Sequence, residues 1–84
     1  MRKINTVRRG HNIVGSRIRE ARLRVKPELS QFDLAGRLAA QGLDMDRPTI
    51  TRIENGNRYL RDYEILAMSR ALKVSVAWLF SQEK

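Results

Sequence analysis

Residues 30–41 read SQFDLAGRLAAQ, and residues 47–56 read RPTITRIENG. In the first stretch Leu34 and Leu38 recur at helical spacing behind Ser30, a residue type that accepts hydrogen bonds at helix N-termini. The second stretch follows Asp46, which is also a capping residue, and closes with Gly56. The two stretches therefore predict two short helices, over about 31–41 and 47–55, joined by a brief connector.

The sequence before these helices predicts one more helix. Apolar residues at three- and four-residue steps, Ile18 and Ala21 among them, indicate a first helix from about Ile13 to Val25. Pro27 ends it, because the residue before a proline is pushed away from helical backbone angles.

The sequence after them predicts two helices and no strand. A fourth helix is expected from Arg61 or Asp62 to Leu72, and Ser75 is expected to cap a short last helix that contains Leu79. Five short helices with brief connectors predict a compact all-α domain over residues 13–84. The residues expected to face inward from the fourth helix are Ile65, Leu66, Ser69 and Leu72.

The basic charge is confined to one end of the chain. The 84 residues contain 17 Lys and Arg against 9 Asp and Glu, a net charge of +8. Residues 1–26 hold nine basic residues and one acid, Glu20, so they carry the whole excess. Such a charge favours a polyanionic partner. Residues 1–12, MRKINTVRRGHN, are expected to form a disordered basic arm; the alternative is a solubilising tail. The basic residues of this arm are Arg2, Lys3, Arg8 and Arg9.

Composition excludes several function classes. The chain has no cysteine and one histidine, His11, which excludes thiolate zinc sites and disulfides and argues against multi-histidine metal sites. Gly10 and Gly15 follow no strand, so they form no nucleotide-binding loop. We expect no enzymatic activity, no cofactor and no metal. No apolar run approaches the roughly 20 residues of a membrane span, so we expect a cytoplasmic protein that does not enter a membrane.

The third helix has one polar face. At about 100° per residue, Ile50 and Ile53 point to one side of it. The other side carries side chains that can donate to guanine, bond in either direction or touch a thymine methyl group, as a helix in the major groove of DNA requires. An ordinary solvated face is the alternative. The candidate base-reading residues are Arg47, Pro48, Thr49, Thr51 and Arg52.

Residues that flank this helix suggest phosphate contacts. Gln31 begins the second helix, where its amide and free backbone amides can meet a phosphate. A loop after the third helix carries Asn57, Arg58, Tyr59 and Arg61, which can hold neighbouring phosphates. The alternatives are a capping arrangement for Gln31 and a solvated turn for the loop.

Three strings together resemble a known family. They are the Ser-Gln start of residues 30–41, Ile-x-x-Ile-Glu-x-Gly at residues 50–56 and Ala-Leu-x-Val-Ser at residues 71–75. From Ile13 to Phe80 the chain resembles the Cro and phage-repressor, or XRE-like, helix-turn-helix domains.

The resemblance implies a five-helix, bacterial or phage-type regulator that binds paired DNA half-sites and is nucleoid-associated when bound. It also implies roles for matching positions. Gln31, Asn55 and Arg58 would contact phosphates, with an adjoining base as a second candidate contact of Gln31. Base edges would be read by Arg47, Pro48, Thr51 and Arg52.

Glu54 matches a family glutamate that pairs with an arginine of the first helix. We expect Arg22 as its partner, with Arg24 as the alternative. Glu54 lies about 40° from Ile50 around the helix, beside the buried side. An unpaired carboxylate there would cost several kcal/mol, so a nearby cation is needed.

The chain also departs from the family pattern. It has about four or five more residues between Ala35 and Ile50 than the shortest members, and Lys73 stands where a glycine often closes the fourth helix. Phe32 occupies a usually charged position. We favour a local packing role for Phe32 over a place on a partner surface.

The sequence therefore favours a sequence-specific regulator of transcription, a repressor, that binds a palindromic operator in double-stranded DNA as a homodimer. The terminal helix around Trp78 to Phe80 is the expected dimer contact. The alternative is an antitoxin-like or adaptor protein that mainly binds a protein partner, with Phe32, Trp78 and Phe80 as candidate contacts. A membrane-surface or RNA-binding domain is disfavoured, because the chain has neither an amphipathic aromatic face nor an aromatic platform.

Overall fold

The computed structural model describes residues 10–81. It confirms the all-α prediction: residues 10–81 contain helices and no strand. None of these helices is long and apolar enough to cross a membrane. In chain order the helices are α1 (Gly15–Arg24), α2 (Gln31–Ala40), α3 (Arg47–Glu54), α4 (Asp62–Leu72) and α5 (Val76–Leu79).

Three predicted helix starts are confirmed by side-chain caps. Ser30 Oγ accepts from the backbone N–H of Asp33 at 2.9 Å and begins α2. Asp46 Oδ1 accepts from the N–H of Thr49 at 3.0 Å and begins α3. Ser75 Oγ accepts in the same way and begins α5. Each cap satisfies one backbone donor that has no partner within its helix.

The start of α1 differs from the prediction. The helix begins at Gly15 rather than Ile13, because Asn12 Oδ1 accepts from the N–H groups of Val14 (3.1 Å) and Gly15 (2.7 Å). Asn12 Nδ2 in turn donates to the carbonyls of Ile53 (3.1 Å) and Arg58 (2.8 Å). A single side chain thus fixes the start of α1 against the end of α3.

Residues 10–12, which the sequence assigns to the arm, contact the domain. The N–H of His11 donates to Gly56 O at 2.8 Å, and the His11 ring packs edge-on against Tyr59 with 4.5 Å between ring centroids. The basic arm residues Arg2, Lys3, Arg8 and Arg9 lie outside the described residues.

The helix ends use left-handed backbone. Gly42 (φ 85°) and Gly56 (φ 80°) follow α2 and α3 in this conformation, and the sequence predicted Gly56 as the residue that closes α3. Lys73 adopts the same conformation after α4 with φ 59°, at the position where a glycine was expected from the family pattern.

The inward face of α4 was predicted wrongly at one position. Leu66 is 42% exposed, whereas Ala67, Met68 and Ala71 are buried. Ser69 and Leu72 are buried as predicted.

All five helices contribute to a single hydrophobic core, and α3 packs into it with its apolar side. Its fully buried large side chains are Val14, Ile18, Leu34, Leu38, Ile50, Ile53, Met68 and Leu79.

Gly15 allows α1 to approach the end of α3 closely. A Cβ atom at this position would collide with the carbonyl oxygen of Ile53 and lie 3.0 Å from that of Glu54. The position of α3 therefore depends on a residue without a side chain at the start of α1.

Candidate nucleic-acid interface

The two sides of α3 have opposite environments. Ile50 and Ile53 are fully buried in the core. The opposite side is solvent-exposed at Arg47, Pro48, Thr51 and Arg52, while Thr49 at its border is half-buried. The structure therefore brings the five residues predicted to read bases onto one short helix, and four of them are solvent-exposed.

The two arginines of this face are not committed to other groups. Among residues 10–81, neither Arg47 nor Arg52 makes an ion pair or a side-chain hydrogen bond. Both guanidinium groups can therefore donate to a ligand without breaking an internal bond. Hydrogen bonds from Thr49 lower the pKa of Asp46 at the start of α3, and the charge of Arg52 adds to that effect. Asp46 is thus held ionised, where it complements the N-terminal end of the helix.

Glu54, on the buried side of α3, is paired with Arg22 of α1. The guanidinium donates from Nε to Glu54 Oε2 at 2.7 Å and from Nη2 to Oε1 at 2.9 Å. The exposed fractions of the two side chains are 10% for Arg22 and 3% for Glu54. The hydrogen bonds to Glu54 raise the pKa of Arg22 against the opposing effect of burial. Arg24, the alternative partner, instead pairs with Glu20 at 2.8 Å.

Gln31 connects this buried pair to the exposed side of α3. Its Nε2 donates to Glu54 Oε1 at 3.2 Å, and its Oε1 accepts from the hydroxyl of Thr51 at 3.2 Å. The sequence predicted a phosphate contact for Gln31, but these bonds across α2 and α3 were not predicted. No local spacing relates residue 31 to residues 51 and 54, so only the helix packing reveals the connection.

In the loop after α3, one of the residues predicted to contact phosphates is bonded within the domain. Arg58 Nη1 donates to Glu64 Oε1 at 3.0 Å and to Tyr59 O at 2.9 Å. Burial raises the pKa of Glu64, but hydrogen bonds from Arg58 and from the N–H of Arg61 outweigh it and leave that pKa lowered. Arg58 is therefore engaged within the domain, whereas Asn55, Asn57 and Arg61 remain exposed.

A comparison with protein families shows which family the chain belongs to. The sequence matches the helix-turn-helix family over residues 18–79, from within α1 to the end of α5. The chain belongs to the XRE-type helix-turn-helix family. Members of this family are DNA-binding regulators. No curated protein and no solved structure matched the chain.

In this helix-turn-helix protein the second helix exposes an aromatic side chain. Phe32 is 72% exposed, so its predicted packing role is wrong. Trp78 is half-buried and lies under two guanidinium groups, with Arg17 Cζ 4.4 Å and Arg24 Cζ 5.5 Å from its ring centroid. Phe80 is partly exposed beside an open groove of about 250 Å³. The apolar side chains of this groove include Ile13, Leu60 and Ile65.

The described part of this helix-turn-helix protein has no cluster of three or more His, Cys, Asp or Glu side chains that could hold a metal ion. The exposed side of α3 offers hydrogen-bond donors and hydroxyl groups to a ligand. These groups suit the recognition of base edges and phosphates.

Proposed function

We propose that this protein is a sequence-specific regulator of transcription that inserts α3 into the major groove of double-stranded DNA and acts as a repressor. The exposed polar side of α3 carries this proposal, because Arg47 and Arg52 on it make no ion pair or side-chain hydrogen bond among residues 10–81. Arginine donates in pairs to guanine O6 and N7, the commonest specific contact to a base. Repression requires only that the bound protein occupy promoter DNA.

The packing of α2 against α3 supports this mode of docking. The Gln31 bridge to Glu54 and Thr51 joins the start of α2 to the exposed side of α3. In helix-turn-helix proteins the first helix of the motif crosses the DNA backbone while the second enters the groove. We assign phosphate contacts to Gln31, Asn55, Asn57 and Arg61, and contact by Arg58 requires it to share its guanidinium with Glu64.

The remaining basic groups would add attraction that does not depend on sequence. Residues 1–26 carry the entire net charge, and the arm residues Arg2, Lys3, Arg8 and Arg9 are assigned to phosphate or groove contacts. One α3 helix reads few base pairs, so we propose a homodimer on a palindromic operator with half-sites about 34 Å apart. The site of action is the nucleoid in the cytoplasm.

Selection of bound duplexes from a random pool tests the function, followed by titrations of the enriched duplex across a range of salt concentrations. We expect a two-fold symmetric site and an affinity that falls steeply with salt. A pool that shows no enrichment, with every duplex bound equally, would contradict sequence-specific recognition.

A protein-binding role is the second candidate, and the exposure of Phe32 favours it. A 72% exposed phenylalanine at the start of α2 offers apolar area that DNA phosphates do not need. In an antitoxin-like or adaptor protein this ring would enter a pocket of the partner. Phe32→Ala separates the two roles: it should abolish co-purification of a partner and leave affinity for the enriched duplex unchanged. Loss of DNA affinity alone would argue against a partner site at Phe32.

A further inference from the structure

Four side chains form one continuous hydrogen-bonded chain that begins in the core and ends on the exposed side of α3. Arg22 donates to Glu54 at 2.7 and 2.9 Å, Glu54 accepts from Gln31 at 3.2 Å, and Gln31 accepts from Thr51 at 3.2 Å. The sequence suggested separate tasks for these residues. The structure connects the buried ion pair directly to a candidate base-reading hydroxyl.

The direction of every bond in this chain is set by chemistry. A guanidinium only donates and a carboxylate only accepts, so Arg22 and Glu54 must meet as donor and acceptor. Glu54 is a buried carboxylate, with 3% of its side chain exposed, and it can only accept. The Gln31 amide must therefore present its NH₂ group to Glu54. The carbonyl oxygen of the same planar amide therefore points to Thr51. An amide carbonyl only accepts, so Thr51 must donate its hydroxyl proton.

The direction of these bonds determines which groups of Thr51 remain for DNA. A threonine hydroxyl has one proton and two acceptor lone pairs. Because the proton of Thr51 is directed to Gln31, only lone pairs remain for a ligand. Thr51 is solvent-exposed, so these lone pairs are available in the groove.

We propose that Thr51 acts as a hydrogen-bond acceptor that reads an exocyclic amine in the major groove, either N6 of adenine or N4 of cytosine. This inference rests on the proposed function and specifies what one residue of the recognition helix selects. Thr51 disfavours positions where guanine O6 or N7, or thymine O4, would face it, because two acceptors would then meet. Gln31 and Glu54 are positioning residues that fix the polarity of this hydroxyl.

Thr51 differs in this respect from its arginine neighbours on α3. Arg47 and Arg52 can only donate, so they suit the acceptor atoms of guanine. Between them in sequence, Thr51 supplies an exposed acceptor whose direction is fixed by Gln31. The same helix therefore reads both kinds of group on base edges.

Functional-group deletion in the selected duplex tests the inference. At each position adenine is replaced by purine, or cytosine by pyrimidin-2-one, which removes one amine; separately, purines are replaced by their 7-deaza analogues, which removes the N7 acceptor. Dissociation constants are measured for the wild type, Thr51→Val and the control Thr51→Ser. Thr51→Val keeps the branched shape without the hydroxyl, and Thr51→Ser keeps the hydroxyl.

We expect one amine deletion to weaken wild-type binding about threefold to tenfold, the range of one hydrogen bond. The same deletion should weaken Thr51→Ser to a similar degree and have no effect on Thr51→Val. Deletion of N7 should weaken the wild type and Thr51→Val equally. The inference would be overturned if N7 deletion weakened binding by the wild type more than binding by Thr51→Val. It would also be overturned if every amine deletion weakened the two proteins equally.

A second variant tests the polarity itself. Gln31→Met keeps the length of the side chain but removes its acceptor, so the Thr51 hydroxyl becomes free to donate. We expect the penalty for amine deletion to fall at least twofold, as about 0.4 kcal/mol of selectivity is lost. A penalty that does not change would show that Gln31 does not direct Thr51. Failure of the proposed function is distinguished earlier, because no duplex would then be enriched.

Discussion

The exposed side of α3 and the loop that follows it are both rich in arginine, but their arginines are in different states. Among residues 10–81, Arg47 and Arg52 on α3 have neither ion pairs nor side-chain hydrogen bonds. Arg58 in the loop is bonded to Glu64 and to Tyr59 O. Sequence composition does not separate these two cases. A free guanidinium can bind DNA at no internal cost, whereas a paired one must first give up part of a structural bond.

A third state lies beneath the exposed side of α3, where Arg22 is buried against Glu54. The comparison therefore predicts that arginine and glutamate substitutions divide into those that change DNA binding and those that change folding. Four measurements test that division.

Glu54→Ala should give the largest effect, on stability. It leaves the guanidinium of Arg22 buried without its carboxylate, and breaking such a pair costs about 3–5 kcal/mol. Thermal or denaturant unfolding measures the loss. Glu20→Ala is the matched control, because Glu20 is paired with Arg24 in a more exposed position, and it should cost less than about 1 kcal/mol. Equal melting temperatures for the two variants would contradict a structural role for Glu54.

Arg52→Ala should act on DNA affinity and leave the fold unchanged. Loss of a good base contact costs about 1–3 kcal/mol, so affinity for the enriched duplex should fall about 5- to 150-fold. Fluorescence anisotropy measures this loss. Arg70→Ala is the control for general electrostatics, because it removes the same charge from an exposed position on α4. If both variants lost affinity equally, Arg52 would contribute charge alone.

Arg58→Ala should act mainly on the fold. Glu64, with 4% of its side chain exposed, would lose two of its hydrogen bonds, at a cost of about 1–3 kcal/mol. Its effect on DNA binding should be the same for all sequences. The control is Arg61→Ala. Among residues 10–81 the Arg61 side chain bonds only to the Tyr63 hydroxyl, at 3.3 Å, so its removal should leave the melt unchanged. A stable Arg58→Ala protein with altered sequence preference would reverse the assignment.

The smallest expected effect is on acid stability. The pKa of Glu64 is lowered in the folded protein, so its contribution is present above the ordinary carboxyl pKa of about 4.3 and is lost as pH falls through the folded value. Glu64→Gln should therefore be less stable than the wild type at pH 7, and the difference should narrow below about pH 4. Unfolding curves at a series of pH values measure it. A constant difference across the series would show that the ionisation of Glu64 does not support the fold.

Much of the fold could be predicted from local signals. Ser30, Asp46 and Ser75 mark helix starts because a cap is determined within a few residues. The start of α1 was misplaced because Asn12, whose side chain accepts from the N–H groups of Val14 and Gly15, was assigned to the arm. The inward face of α4 was misjudged at Leu66 because helical spacing alone did not decide between it and its neighbours Ala67 and Met68.

The candidate site was predictable as a helix face but not as a network. The exposed positions of Arg47, Thr51 and Arg52 follow from the helical period once Ile50 and Ile53 are placed inside. The bonds of Gln31 depend on the packing of α2 against α3. The bond between Arg58 and Glu64 depends on the path of the intervening loop. Neither has a signature in sequence spacing.

The central claim is that the exposed side of α3 reads DNA sequence, and parallel selections from one random duplex pool, with wild type and with Arg52→Ala, test it most directly. The account predicts a symmetric site for the wild type and, for Arg52→Ala, the same site with preference lost at one base pair in each half. An unchanged site for Arg52→Ala, or no enriched site for the wild type, would contradict it.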